Sequence, residues 1–277
     1  MPVAFKLRET FAQGFQSLLG VFALCLQNVW HEGDFDKAVD IIRKKGQAIA
    51  NKRADREATE GVVIAKATAD KKRGALIVLN CETDFVAKNE SYVDFAMSIL
   101  DLAITENPAD LDALKALELN GRPVVDVVTE QSGVIGEKLD LAAYETVSAD
   151  SVVAYIHAGN KLATLVGFNQ EGIEEQVAKD VAMQAAAMAP VAIDADSVPA
   201  DIREKELEIG KEKAREEGKP EAMLEKIAMG RLNKFFKEST LMEQAFVKDN
   251  KLTIKQYLDN SSKGLKAVDF KRYTLNS

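Results

Sequence analysis

Two β-rich runs joined by a short turn occur twice in this 277-residue chain, and each pair leads into a helical segment. The first pair is "GVVIAKATA" and "GALIVLN", separated by the charged, glycine-ended "DKKRG". The second is "SVVAYIH" and "KLATLVGFN", separated by "AGN". Runs of β-branched and apolar residues bounded by such turn residues read as β-hairpins. The first unit continues into "SYVDFAMSILDLAI" (91–104), which spaces Val93, Phe95, Ala96, Ile99, Leu100 and Ala103 as one buried helical face. The second continues into "GIEEQVAKDVAMQAAAM" (172–188). A hairpin alone is too small to bury its apolar side, so the repeat predicts an α+β fold: duplicated small antiparallel sheets, each covered on one face by helices.

Flanking segments fit around that core. "DFDKAVDIIRKKGQAIANKRADRE" (34–57) places Phe35, Ala38, Val39 and Ile42 at helical spacing, with Asp34 as a cap and Gly46 as a stop. Between the two units, "LELNGRPVVDVVTEQSGVIGEKLDLAAYETV" predicts a turn at Gly121 to Pro123 and a strand around 138–147. Residues 195–229 are dense in Glu and Lys and broken by "GKP" at 218–220, which predicts a projecting antiparallel helical hairpin. The boundaries expected are an N-terminal helical module over 1–55, a first core subdomain over 56–145, and a second over 146–277 that carries the hairpin insertion.

Charge limits the partners. A net charge of −8 argues against general nucleic-acid binding, which needs a surplus of Lys and Arg on one face. The 47% hydrophobic and 29% charged composition reads as a soluble globular chain. Two cysteines, Cys25 and Cys81, form neither a C-x-x-C pair nor a disulfide framework, which fits a reducing cytoplasm. The uncharged stretch 11–30 superficially resembles a signal sequence. Its three Gln, Asn28 and Ser17 suit a membrane span poorly, and Leu24 before Cys25 is the wrong residue for cleavage, so a buried helix is the expectation and no membrane partner is predicted.

A catalytic reading finds no purchase. No G-x-x-x-x-G-K-[ST] or G-x-G-x-x-G phosphate cradle and no G-x-S-x-G elbow occur, so no cofactor is expected. His31 and His157 are the only imidazoles, and neither has a second His or Cys at ligand spacing. Cys81 ends an apolar run and reads as a buried, inert thiol. The residue that lacks a structural explanation is Phe85 in "NCETDFVAKN" (80–89), an aromatic placed where the chain turns toward solvent.

That segment resembles the signature of bacterial elongation factor Ts, the guanine-nucleotide exchange factor of elongation factor Tu. "GDFDKAVDIIRKKGQAIANKRADREATEG" (33–61), "IHAGNKLATLVGF" (156–168), "GKPEAMLEKIAMGRLNKFFKESTLMEQAFVKD" (218–249) and the closing "FKRYTL" (270–275) also resemble the family, in its order and at its spacing. The resemblance runs from about residue 33 to the end. Residues 1–32 depart from it: the family usually opens with a ubiquitin-associated-like three-helix module whose Leu-Arg precedes T-G-A-G-M-M-D-C-K-x-A-L. Here Leu7 and Arg8 are followed by "FAQGFQSLLGVFALCLQNVWHE". Either divergence or a shifted reading frame or start joined near Glu32 accounts for the aberrant segment, and intact-mass measurement of the native protein separates the two.

The resemblance implies a nucleotide exchange factor with no chemical active site of its own, partnered with GDP-bound and nucleotide-free elongation factor Tu. In the family, the T-D-F-V turn enters the partner near its Mg²⁺ and phosphates. Carried over, Phe85 is the wedge, Asp84 its polar neighbour, and Thr83 and Val86 shape the turn. Lys52, Arg53, Ile135, Gly136 and His157 fall at further expected contacts. Phe85 as a cap on its own local core is the competing reading of that residue. At the level of the whole chain, the alternative is a chaperone-like or scaffold partner of a translation factor.

Overall fold

The computed structural model describes residues 55–275 together with Lys44, Ala48 and Lys52. Those three isolated residues have helical backbone, and the rest of the expected N-terminal module up to residue 54, including the stretch 11–30, Arg8 and Arg53, lies outside the described residues.

Strands β1 (Glu60–Ala67) and β2 (Arg73–Cys81) form the first hairpin, and helix α1 (Asp84–Ala87) follows directly. Helix α2 spans Glu90–Glu106 and α3 spans Leu111–Ala116. The two-residue strands β3 (Glu118–Leu119) and β4 (Arg122–Pro123) meet across Asn120 and Gly121, both of positive φ. This is the primed geometry that suits a tight hairpin, and the turn begins one residue earlier than the sequence places it. Helix α4 (Val124–Ile135) precedes β5 (Asp140–Ser148). The second hairpin is β6 (Ser151–Ile156) and β7 (Leu162–Phe168), with α5 (Glu175–Met188) after it. Helices α6 (Ala200–Glu216) and α7 (Glu221–Ser239), the small pair β8 (Ala245–Phe246) and β9 (Asp249–Thr253), α8 (Ile254–Ser261) and β10 (Ala267–Thr274) complete the chain.

The duplicated hairpins become two three-stranded sheets, ordered β1-β2-β5 and β10-β7-β6. In the second, both neighbours run antiparallel to β7, with Val166 facing Val153 on one side and Phe270 on the other. Central strands β2 and β7 are buried nearly end to end. Two compact units share the described chain: one includes 55–61, Leu79–Ile99 and Asp112–Ala142, and the other Val62–Val78, Leu100–Leu111 and Ala143 onward.

In the second unit, α5 lays Val177, Ala178, Val181, Ala182 and Ala185 on a core with Val166, Phe168, Leu241, Ile254, Leu258 and Ala267. Alanines let the helix approach the sheet closely, and Thr164 Oγ1 donates 2.9 Å to the Ala182 carbonyl. Helices α6 and α7 pack antiparallel, with Gly210 opposite Ala228, where a Cβ on residue 210 would come within 3.1 Å of the Ala228 Cα. Their connection falls at the glycine-proline break the sequence marks, with ion pairs Arg215–Glu221 and Arg231–Glu217 across it, and α7 continues ten residues past 229 to Ser239.

The buried stripe of α2 differs from the periodic expectation at its start. Tyr92 is buried there, while Val93 and Phe95 are half-buried. The Tyr92 hydroxyl donates 2.7 Å to the Leu79 carbonyl, so its one polar atom is satisfied inside the core. Beside it, burial pushes the Cys81 thiol up to about 11. A charged group is also buried: Asp180 on α5 accepts from Lys248 Nζ (2.7 Å), Tyr257 Oη (2.9 Å) and Gln176 Nε2 (2.6 Å). Burial works to raise the pKa of this carboxyl, and the three donors together outweigh it, holding the carboxyl below its usual range.

A folded-state pKa below the unfolded value means that Asp180 stabilises the protein above about pH 4, and that this contribution is lost as pH falls through the depressed folded value. Urea denaturation of Asp180→Asn at pH 7 is expected to show a loss of about 2 kcal/mol, narrowing in acid below about pH 4. At pH 8 the raised pKa leaves on the order of a hundredfold less Cys81 thiolate than an exposed cysteine carries. Iodoacetamide labelling followed by peptide mass spectrometry is therefore expected to modify Cys81 readily in urea and hardly at all in the native protein.

Candidate functional site

The polypeptide leaves the buried end of β2 at Cys81 and, after Glu82 and Thr83, begins a helix of a single turn. Four residues are too few to hold a helix by their own hydrogen bonds, because nucleation costs more conformational freedom than the first bonds return. Within α1 and its edges the backbone bonds are Ala87 N to Thr83 O (3.2 Å), Lys88 N to Asp84 O (3.1 Å) and Asn89 N to Val86 O (3.0 Å). Lys88 Nζ adds an exposed ion pair to Asp84 at 2.6 Å, one turn along. On the inner side only Ala87 of the turn is buried.

Phe85 projects from this turn 83% exposed, the most exposed of the large apolar side chains among the described residues. That excludes the reading of Phe85 as a cap on its own local core. Leaving a phenyl ring in water forgoes about 2 kcal/mol of apolar burial, which stays available to a pocket on another molecule.

Neighbouring groups hold the segment before the helix. Glu137 accepts from the backbone N–H of Glu82 (3.1 Å) and of Thr83 (3.0 Å), and from the Thr83 hydroxyl (2.6 Å). Thr83 sits at the N-cap position with extended backbone, yet its hydroxyl makes no cap to α1, being turned to Glu137 instead. In return, Glu82 Oε1 accepts from Lys138 N at 2.7 Å, and Glu82 pairs with Arg56 at 3.1 Å. Lys138 Nζ donates 3.0 Å to the Arg56 carbonyl. The Cys81 thiol donates 3.1 Å to the Thr83 carbonyl beneath the turn.

Glu137 owes its place to α4. That helix ends at Ile135, and Gly136 takes the left-handed conformation at φ 81°, with its N–H on the Ser132 carbonyl, which suits a residue without Cβ. Ser132 then accepts from Leu139 N at 3.0 Å, turning the chain toward β5. The sequence-predicted residues Thr83, Asp84, Phe85 and Val86 thus belong to the same unit as Ile135 and Gly136, joined through the intervening Glu137. The sequence reading passed over Glu137 and the whole of α4, although "VVDVVTEQSGVI" between Pro123 and Gly136 has the apolar spacing and terminal residues of a helix.

The remaining candidates stand apart in chain and environment. His157 is exposed in the β6–β7 turn, where its backbone N–H donates to Leu162 and its Nδ1 lies 2.9 Å from the Tyr155 hydroxyl. Lys52 is an exposed helical residue, and Arg53 is not among the described residues. No group of three or more His, Cys, Asp or Glu able to hold a metal ion occurs among the described residues. None of the helices of the described residues is long and apolar enough to cross a membrane.

The turn bearing Phe85 falls within the part of the chain that matches a known family. The family profile described as Elongation factor TS matches residues 82–277. A curated relative named "Elongation factor Ts" from Porphyromonas gingivalis is 53% identical over 246 residues, covering 88% of this chain and 88% of its own. Its namesake from Amoebophilus asiaticus is 54% identical over 243 residues, covering 87% and 88%. Another, from Chloroherpeton thalassium, is 43% identical over 256 residues, covering 88% and 89%. With a profile match over most of its length and relatives this similar, the chain belongs to the elongation factor Ts family.

Proposed function

We propose that this translation elongation factor acts as a guanine-nucleotide exchange factor: it binds GDP-bound elongation factor Tu and promotes GDP release by inserting the Asp84–Phe85 turn near the partner's Mg²⁺ and phosphate site. The observation that carries the reading is Phe85, 83% exposed on a single helical turn whose approach is hydrogen-bonded by Glu137 from the loop after α4.

Exchange needs no acid, base or nucleophile in the factor. GDP leaves faster when the factor binds the nucleotide-free partner more tightly than the GDP-bound one, since only differential affinity shifts such an equilibrium. An apolar ring kept in water supplies that difference. It gains burial only where a pocket forms for it, and the rearrangement forming the pocket disturbs the Mg²⁺ and phosphate contacts that retain GDP. Asp84 accompanies Phe85 as a carboxylate directed toward the same region. Thr83 and Val86 set the turn on either side. Ile135 and Gly136, close in sequence to the supporting Glu137, are assigned as further contacts with the partner, as are Lys52, Arg53 and His157.

Stopped-flow release of a fluorescent GDP analogue from elongation factor Tu tests the assignment. The wild-type chain is expected to accelerate release, and Phe85→Ala to lose about thirtyfold of that acceleration, the rate equivalent of about 2 kcal/mol of ring burial. A wild-type chain that binds the partner without speeding release would make it a scaffold. Full activity in Phe85→Ala would remove the wedge from the mechanism.

A further inference from the structure

We infer that Glu137 is a positioning residue for nucleotide exchange, acting on the partner only through the direction in which it holds Phe85; the inference rests on the wedge reading of that ring. With 83% of its surface in water, Phe85 has little packing of its own to fix its direction. Its aim is therefore set by the backbone that carries it. That backbone is a four-residue helix, too short to be held firmly by its own hydrogen bonds.

Glu137 supplies the missing restraint at the place where it has most leverage. Its two carboxylate oxygens divide the work: Oε2 takes the backbone N–H groups of Glu82 and Thr83, and Oε1 takes the Thr83 hydroxyl. Three donors converging on one carboxylate fix both the position and the rotation of the peptide unit that enters α1. Charge-assisted bonds of this kind are shorter and stronger than neutral ones, and the 2.6 Å hydroxyl contact is the shortest of the three. The clasp is mutual, because the Glu82 carboxylate in turn receives the backbone N–H of Lys138, the residue after Glu137. Two adjacent loop residues on each side thus exchange carboxylate-to-backbone bonds. Glu137 stands two residues past the end of the twelve-residue α4, just after its closing Gly136, so the loop that carries it is short and tied to a formed helix.

A restraint of this sort predicts a particular kinetic pattern. Loosening it leaves Phe85 present but poorly aimed, which lowers the maximal rate of GDP release more than it raises the concentration of factor needed for half that rate. The test uses the full chain and elongation factor Tu loaded with fluorescent GDP, comparing Glu137→Ala, Glu137→Gln, Thr83→Val, Phe85→Ala and the Glu137→Ala/Phe85→Ala double variant. Glu137→Ala is expected to lower the maximal rate about tenfold with less than about a twofold change in half-saturation. Glu137→Gln, which keeps an acceptor for the backbone N–H groups and places a donor beside the Thr83 oxygen, is expected to recover most of that loss. In the Phe85→Ala background, Glu137→Ala is expected to add no further loss, since nothing remains to be aimed. Equal losses from Glu137→Ala with and without Phe85 would overturn the inference and make Glu137 a general structural group. A maximal rate unchanged by Glu137→Ala, beside an impaired Phe85→Ala, would overturn it while leaving the wedge intact. Wild-type behaviour of Phe85→Ala would instead overturn the wedge. Should Glu137→Ala fail to fold, Thr83→Val removes one of the three bonds alone. It is expected to cost about threefold in maximal rate, only when Phe85 is present, and a loss that persists without Phe85 counts against the inference.

Discussion

A three-stranded sheet leaves its central strand exposed on both faces unless something else covers it, and this constraint governs the architecture. Strands β2 and β7 are almost wholly buried, each flanked by a partner on either side. Two flanking strands satisfy the backbone of the central one, but its side chains need cover from helices. Helix α5 provides it for β7 through a run of small side chains that lets the helix lie close. The later elements contribute too: Leu241, Ile254 and Leu258 come from beyond the α6–α7 pair and enter the same core. The long charged helices therefore interrupt a core that is completed only after the chain returns.

A rigid strand end makes it possible to hold an aromatic ring in water. Cys81 and Leu79 are buried, Tyr92 ties α2 to the Leu79 carbonyl, and the chain emerges from this anchored region for only a few residues. Within those residues the carboxylate of Glu137 occupies the Thr83 hydroxyl that would otherwise be free to cap α1. The helix gives up a local cap, and the chain entering it gains an external tether. A capping side chain moves with its own helix, whereas Glu137 connects the turn to α4, so the turn's position becomes a property of the fold.

Much of the fold was legible from periodicity. The two hairpins, helix α2, helix α5, the α6–α7 connection and the last strand all lie in segments whose apolar spacing and turn residues leave little freedom of assignment. Helix α4 was missed because its Val-rich start, "VVDVV", carries strand propensity and follows a tight turn, which hides the helical spacing of the whole segment. Tyr92 was passed over as a core residue because its hydroxyl reads as polar until the Leu79 carbonyl is seen to receive it. Helix α8 and the β8–β9 pair were not separated within their segment, where no apolar run is long enough to announce them.

The sequence by itself determined the two hairpins, the helices that follow them and the break between the long charged helices, and that Phe85 stands at an unusual point. These are properties of local spacing and backbone preference, written in residues a few positions apart. Only the tertiary structure decided that Phe85 points into water, that Thr83 serves Glu137 and not its own helix, and that Asp180 is buried among three donors. Each of those outcomes depends on groups brought together from distant parts of the chain. Glu137 lies 54 residues from Thr83, and Lys248 lies 68 from Asp180. Whether a side chain is exposed, paired or aimed follows from what packs beside it, and spacing along the chain carries no record of that.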